Sequence, residues 1–331
     1  MFGKRIRLFT MLGFEIRIDL SWLIIAALLV WSLASAVFPY YVKGLAPLQY
    51  WGMAVAGALG FFASIILHEL CHSLVARRFG MPMNGITLFL FGGVAEMSDE
   101  PASARAEFLM AAVGPLSSIV IGGVAYAFSI LGYSLQWSQT ITMVLRYLGG
   151  INILLALFNL IPAFPLDGGR ILRAALWQWK GNIRWATRIA ANAGSIFGIL
   201  LMFWGFFSFI LGSFIGGLWW ILIGLFVRDA ARMSYQSLIV RRYLEGKQVD
   251  RFMSSKPVSV PPSTRIDHLV DGYILKFHHK MFPVVDDHRV RCITVNEVKS
   301  IPQSEWPQHT VNELARPCSA ENSIAAGEDA P

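Results

Sequence analysis

Charge is scarce in this chain. Only 15% of its 331 residues are Asp, Glu, Lys or Arg, against 55% hydrophobic, whereas a soluble domain carries about a quarter charged residues. An ordinary water-soluble domain is thereby excluded, and a polytopic protein held in the lipid bilayer is expected. Cysteine is scarce as well: Cys71, Cys292 and Cys318 have no spacing that suggests a disulfide framework or a cysteine-bound zinc cluster. The net charge is +7, yet no basic stripe interleaved with exposed aromatics occurs, so nucleic acid is not an expected partner. The basic residues stand instead at the ends of apolar runs, which is a membrane pattern. No cleavable leader is expected: the first run, Leu20 to Phe38, is long, has no small-residue cleavage site and reads as a retained span.

What the chain has is length without charge. Gly44 to Leu67, Phe108 to Leu145 and Ile189 to Val227 contain no charged residue. About twenty apolar residues cross a bilayer. The second span runs from about Tyr50 to Phe79; the third and fourth divide near Gly132 to Gln139, and the fourth reaches Pro162. The fifth and sixth divide at Gly212 to Gly217, and everything after Arg228 turns polar. Six spans are expected. Two shorter segments read as strands: Phe14 to Asp19 alternates apolar and charged residues, and Ile86 to Ala95 is a glycine-rich hairpin too short to span. With the N-terminus in the cytoplasm, inside segments hold Arg7, Arg17, Arg77, Arg78, Arg105, Arg170, Arg173, Arg228 and Arg232 among others, and outside segments only Lys43 and Arg146. This positive-inside bias places both termini in the cytoplasm and the protein in the cell (inner or plasma) membrane as a multi-pass chain.

Near the end of the second span stands His68-Glu69-Leu70-Cys71-His72. Residues four apart share a helix face, so both imidazoles can bind one metal ion, with Glu69 beside the open coordination position. An ionisable group in a span costs roughly 2.5–3.5 kcal/mol on insertion scales, so a polar cluster is rarely carried there without a use. The alternative is a satisfied polar cluster between packed helices. Zinc needs a third protein ligand. The fourth span ends in Asn159-Leu160-Ile161-Pro162-Ala163-Phe164-Pro165-Leu166-Asp167-Gly168-Gly169, at a depth similar to His72. The prolines stop the helix and the glycines permit a turn that aims Asp167 inward; the alternative for Asp167 is a helix cap.

Together, H-E-x-x-H and the later N-x-x-P-x-x-P-L-D-G resemble the site-2 protease family of intramembrane zinc metalloproteases. The resemblance covers about residues 1 to 240 and includes Phe91-Gly92-Gly93 and Gly114-Pro115. It implies one zinc ion per chain, with His68, His72 and Asp167 as ligands, Glu69 as the base that takes a proton from zinc-activated water, and Asn159 as a hydrogen-bond donor near the tetrahedral intermediate. A substrate helix hides its carbonyls in hydrogen bonds, so it must unwind before cleavage. Phe91, Gly92 and Gly93 then belong to an edge that holds the unwound segment by strand addition, a plain amphipathic hairpin over the site being the alternative. The implied substrate is a single-pass transmembrane protein, an anti-sigma factor or a membrane-bound transcription regulator, cleaved in regulated intramembrane proteolysis. Cys71 reads as a buried thiol more readily than as a redox switch.

Two domains are expected, a transmembrane protease domain over 1–243 and a cytoplasmic α/β module over 244–331. Phe282-Pro283-Val284-Val285-Asp286, preceded by a helix at Arg265 to His278, resembles a CBS domain. Val311-Asn312-Glu313-Leu314 with Ser323-Ile324 resembles a second copy, which stops at Pro331 before its own helix, through truncation or degeneration. Paired CBS repeats often bind adenine nucleotides. Here Glu297 stands where the ribose-binding Asp is expected and Arg291 replaces a glycine, so a homodimer or docking contact is at least as well supported. His278, His279 and His288 read as solvated. The rival to a protease is a transporter relaying protons or metal ions through His, Glu and Asp; it predicts polar groups strung across the bilayer, and here they gather at one depth. A catalytically dead scaffold is the third class.

Overall fold

The computed structural model describes residues 5–81, 83–89, 92–97, 101–244, 247–254, 256–286 and 289–318. The chain divides into two compact units, Met1–Ile239 and Val240–Pro331.

The first unit is helical, and among the described residues six of its segments are long and apolar enough to cross a membrane. Helix α1 (Leu20–Ser32), a π turn (Leu33–Val37) and α2 (Phe38–Tyr41) form the first. The second to fourth are α3 (Pro47–Arg78), α4 (Ala104–Ser134) and α5 (Gln139–Asn159). A short amphipathic helix, α6 (Asp167–Lys180), precedes α7 (Ile183–Ile210) and α8 (Phe214–Leu244). Polar caps mark where α1, α4 and α7 begin. Asp19 accepts from the Ser21 amide (2.9 Å), Ser103 from Ala106 (3.1 Å) and Asn182 from Trp185 (3.0 Å), each satisfying a helix-end donor. Large side chains such as Leu59, Val120, Leu200 and Trp204 stay exposed, as lipid-facing residues do. The residues that α7 buries are mostly small, among them Ala186, Ala190, Gly194 and Gly198, which lets helices in lipid approach closely.

Both segments read as strands belong to one sheet. Strands β1 (Arg5–Met11), β2 (Phe14–Asp19), β3 (Met83–Phe89) and β4 (Gly92–Met97) lie in that order. The β1–β2 and β3–β4 pairs are antiparallel, and β2 runs parallel to β3 through Ile16↔Ile86 and Ile18↔Leu88. Phe14, Ile16, Ile18 and Ile86 pack with Leu70 of α3, between the two motif histidines in sequence. The Arg77 guanidinium fastens the β1–β2 turn to the end of α3, donating to the Leu12 carbonyl (2.8 Å) and lying 4.9 Å over the Phe14 ring.

The second unit holds α9 (Ile266–Leu269), a π turn (Val270–Ile274), α10 (Leu275–Phe277), α11 (Val295–Lys299) and α12 (Val311–Leu314). Beside them lies an antiparallel sheet of β5 (Met281–Asp286), β6 (Arg289–Thr294) and β7 (Arg316–Pro317). Val260, Ile266, Leu269, Phe282, Val284, Ile293, Val298 and Val311 form its core. His278 and His279 are exposed; His288 and Ser323-Ile324 lie outside the described residues.

Candidate metal centre

The site begins with α3, a helix because its apolar run is interrupted by neither proline nor charge until His68. His68 and His72 sit one turn apart, both buried, with ring centroids 4.8 Å apart. Each ring is fixed through Nδ1 by α4. His72 Nδ1 lies 2.6 Å from the Met110 carbonyl oxygen, which can only accept, so Nδ1 carries the proton and Nε2 keeps its lone pair. His68 Nδ1 lies 2.8 Å from Ser118 Oγ. Such partners set the tautomer of a metal-binding imidazole.

Asp167 arrives from the other side. α5 ends at Asn159, Pro162 and Pro165 prevent its continuation, and the chain folds back through residues 160–166 to begin α6 at Asp167. A side chain at Gly168 would press on the carbonyls of Leu160 and Ile161, so only glycine lets α6 start this tightly against the loop. One carboxylate oxygen, Oδ2, then lies 3.1 Å from Nε2 of His68 and 3.1 Å from Nε2 of His72.

The three groups fit a zinc ion. Their ligand atoms all lie within 4.8 Å of one another; donors at about 2.0–2.1 Å from zinc in a tetrahedron are separated by roughly 3.3 Å. Two imidazoles and one carboxylate are a zinc-type donor set that leaves a fourth position open. Space is reserved for the ion as well: a Cβ built on Gly114 of α4 would clash with Nε2 of both histidines.

Glu69 follows His68 on α3, half-buried, within electrostatic reach of His68, His72, Asp167 and Arg170. Asn159 is not drawn into the cluster: its amide donates to the Leu155 carbonyl of its own helix (3.0 Å). Gly92 and Gly93 pair with Phe89 and Leu88 in the sheet, and Phe91 lies outside the described residues. Cys71 is a half-buried free thiol. Sequence reasoning missed the groups that hold the imidazoles, Ser118 and the Met110 carbonyl. It also missed the buried Asn152, which donates to Ser64 Oγ (3.0 Å) one turn below His68. The available signal was a set of small polar residues at helical spacing inside charge-free spans.

Peptidase family M50 matches the chain over residues 56–136 and 129–204. Rip3 of Mycobacterium tuberculosis, provisionally named a zinc metalloprotease, is 32% identical over 307 residues, covering 92% of this chain and 78% of that protein. The zinc metalloprotease MJ0392 of Methanocaldococcus jannaschii is 33% identical over 244 residues, 72% of this chain and 66% of that one. A solved site-2 protease from Methanocaldococcus jannaschii is 31% identical and superposes with a TM-score of 0.49 over 70% of this chain and 95% of that one. The sequence relatives, and not that superposition, carry the assignment. With such identity along nearly its whole length, the chain belongs to peptidase family M50, the site-2 proteases, and is a zinc-dependent metalloendopeptidase.

Proposed function

We propose that this enzyme hydrolyses a peptide bond in or near the transmembrane segment of a single-pass membrane protein, working from the cytoplasmic side of the cell membrane. The observation that carries this reading is the convergence of His68, His72 and Asp167 inside a membrane-spanning helical unit. These three residues would hold the zinc ion. When bound, zinc supplies Lewis-acid activation for amide hydrolysis. The Glu69 carboxylate accepts a proton from the attacking water and returns it to the leaving amide nitrogen. The Asn159 amide, held on its own helix by Leu155, exchanges that bond for one to the developing oxyanion. β4 is last in the strand order, which supports Gly92 and Gly93, with Phe91 beside them, as the edge that receives an unwound substrate. The family resemblance suggests a regulated substrate, an anti-sigma factor or a membrane-bound transcription regulator.

The second unit we read as a CBS-type module that works through homodimer contacts and not through tight binding of adenine nucleotide. Glu297 is already engaged: its carboxylate accepts from the Thr294 amide (2.8 Å) and hydroxyl and pairs with Arg316 (3.0 Å). The deciding experiment is cleavage of a membrane-spanning substrate by the purified full-length protein. Cleavage should stop with a chelator and return with zinc; cleavage that survives complete zinc removal would overturn the proposal.

A further inference from the structure

Two buried charges take no part in the chemistry above. Glu107 of α4 is 0% exposed and Arg173 of α6 is 9% exposed. Their place in the fold ties them to the metal centre. On α4, Glu107, Ala111, Gly114 and Ser118 recur at helical spacing and are all buried, so they form one stripe with Met110 at its margin. Ser118 and the Met110 carbonyl hold the two imidazoles, and Gly114 leaves the space between them. Glu107 continues the stripe by one turn and grips α6. Its Oε1 accepts from both Nε (2.7 Å) and Nη2 of Arg173. Arg173 lies on the helix that Asp167 begins, and its guanidinium sits 5.0 Å over the ring of Phe164, in the loop that delivers Asp167.

We infer that the Glu107–Arg173 pair is a positioning device for the zinc site: it fixes the helix carrying Asp167 against the helix that orients His68 and His72. This rests on the zinc-ligand reading of those three residues. Stability alone does not explain the pair. Buried ion pairs are often matched or bettered by apolar residues of similar volume, and here Glu107 Oε2 is buried with no hydrogen-bond partner among the described residues. What a guanidinium adds is direction: two N–H groups of its fork, on Nε and Nη2, converge on the single oxygen Oε1 of Glu107, a geometry that apolar contacts do not impose. A site whose ligands must be held to about 0.5 Å needs such a constraint between the elements that bring them.

The test is zinc affinity measured by chelator competition on the full-length protein, with the visible spectrum of its cobalt-substituted form as a second readout. The double variant Glu107→Met/Arg173→Met removes both charges and so leaves none unpaired. It should keep its helix content and Tm yet bind zinc about 10–100-fold more weakly, the usual effect of losing an outer support of a metal site, with an altered cobalt spectrum. A merely structural pair would move neither readout. Arg173→Lys, which keeps the charge and loses the fork, should shift both in the same direction by less, and it decides the matter if the double variant does not fold. Wild-type affinity and spectrum in the folded variant would overturn the inference while leaving the ligand assignment intact. Zinc binding that persists in His68→Ala and His72→Ala would overturn the ligand assignment itself, and the inference with it.

Discussion

A Cβ built on Gly114 would stand 2.6 Å from Nε2 of His68, and closer still to Nε2 of His72. The absence of a side chain at one position of α4 thus shapes the space where three ligand atoms of α3 and α6 converge. Gly114→Ala should therefore empty the centre without touching a ligand. In a helix interior alanine is favoured over glycine by about 1 kcal/mol, so loss of the helix is not the expected route. Zinc measured by atomic spectroscopy should fall well below one ion per chain while helical content is unchanged. A full complement of zinc in this variant would show that the ion lies elsewhere.

The charge bias predicts sidedness. Lys43 follows the first span and Lys180 follows the fourth by way of α6, so the two lie on opposite faces of the membrane if each span crosses once. In a background lacking Cys71, Cys292 and Cys318, single cysteines at positions 43 and 180 should label oppositely with an impermeant thiol reagent added outside intact cells, 43 reacting and 180 not. Equal labelling would remove the topology and the cytoplasmic-facing site.

The cluster of His68, His72 and Asp167 was legible in the sequence because two imidazoles on one helical turn and an aspartate after a proline break leave a local signature. The six spans were legible because charge-free length is itself the signal. The sheet was only half legible. β2 and the β3–β4 hairpin each announce themselves locally, but Ile16 and Ile86 pair in parallel although two candidate membrane spans separate them in the chain, and no local pattern encodes that. The Met110 carbonyl that fixes His72 is backbone and has no residue signature at all. In sequence Arg173 is one more basic residue flanking an apolar run and nothing marks Glu107; only their burial on facing helices separates them from surface residues.

For the second unit the prediction concerns nucleotide. Burial raises the Glu297 pKa, and the hydrogen bonds from Thr294 lower it by more, with Arg316 adding to them, so the carboxylate stays ionised and engaged. Arg291 is likewise committed, its fork donating to the Asn312 carbonyl (3.2 Å) and side-chain oxygen. Calorimetry on the full-length protein should therefore detect no micromolar binding of ATP or AMP. A micromolar isotherm that disappears in Glu297→Ala would refute the dimer-contact reading.

The sharpest prediction separates metal binding from proton transfer. Asp167 brings one oxygen to within 3.1 Å of both imidazole nitrogens, and Asp167→Asn replaces that anionic ligand with a neutral, weaker one. Bound zinc should fall well below one per chain, and activity with it. Glu69→Gln leaves all three ligands and their supports in place: His68 on Ser118, His72 on the Met110 carbonyl. Zinc should remain. What disappears is the carboxylate proposed to accept the proton, and a well-placed general base contributes about 10²–10⁴ in rate. Glu69→Gln should accordingly be folded, zinc-loaded and slower by that factor on a membrane-spanning substrate. Near-normal cleavage by this variant would mean that Glu69 is not the base, even with the zinc ligands assigned correctly.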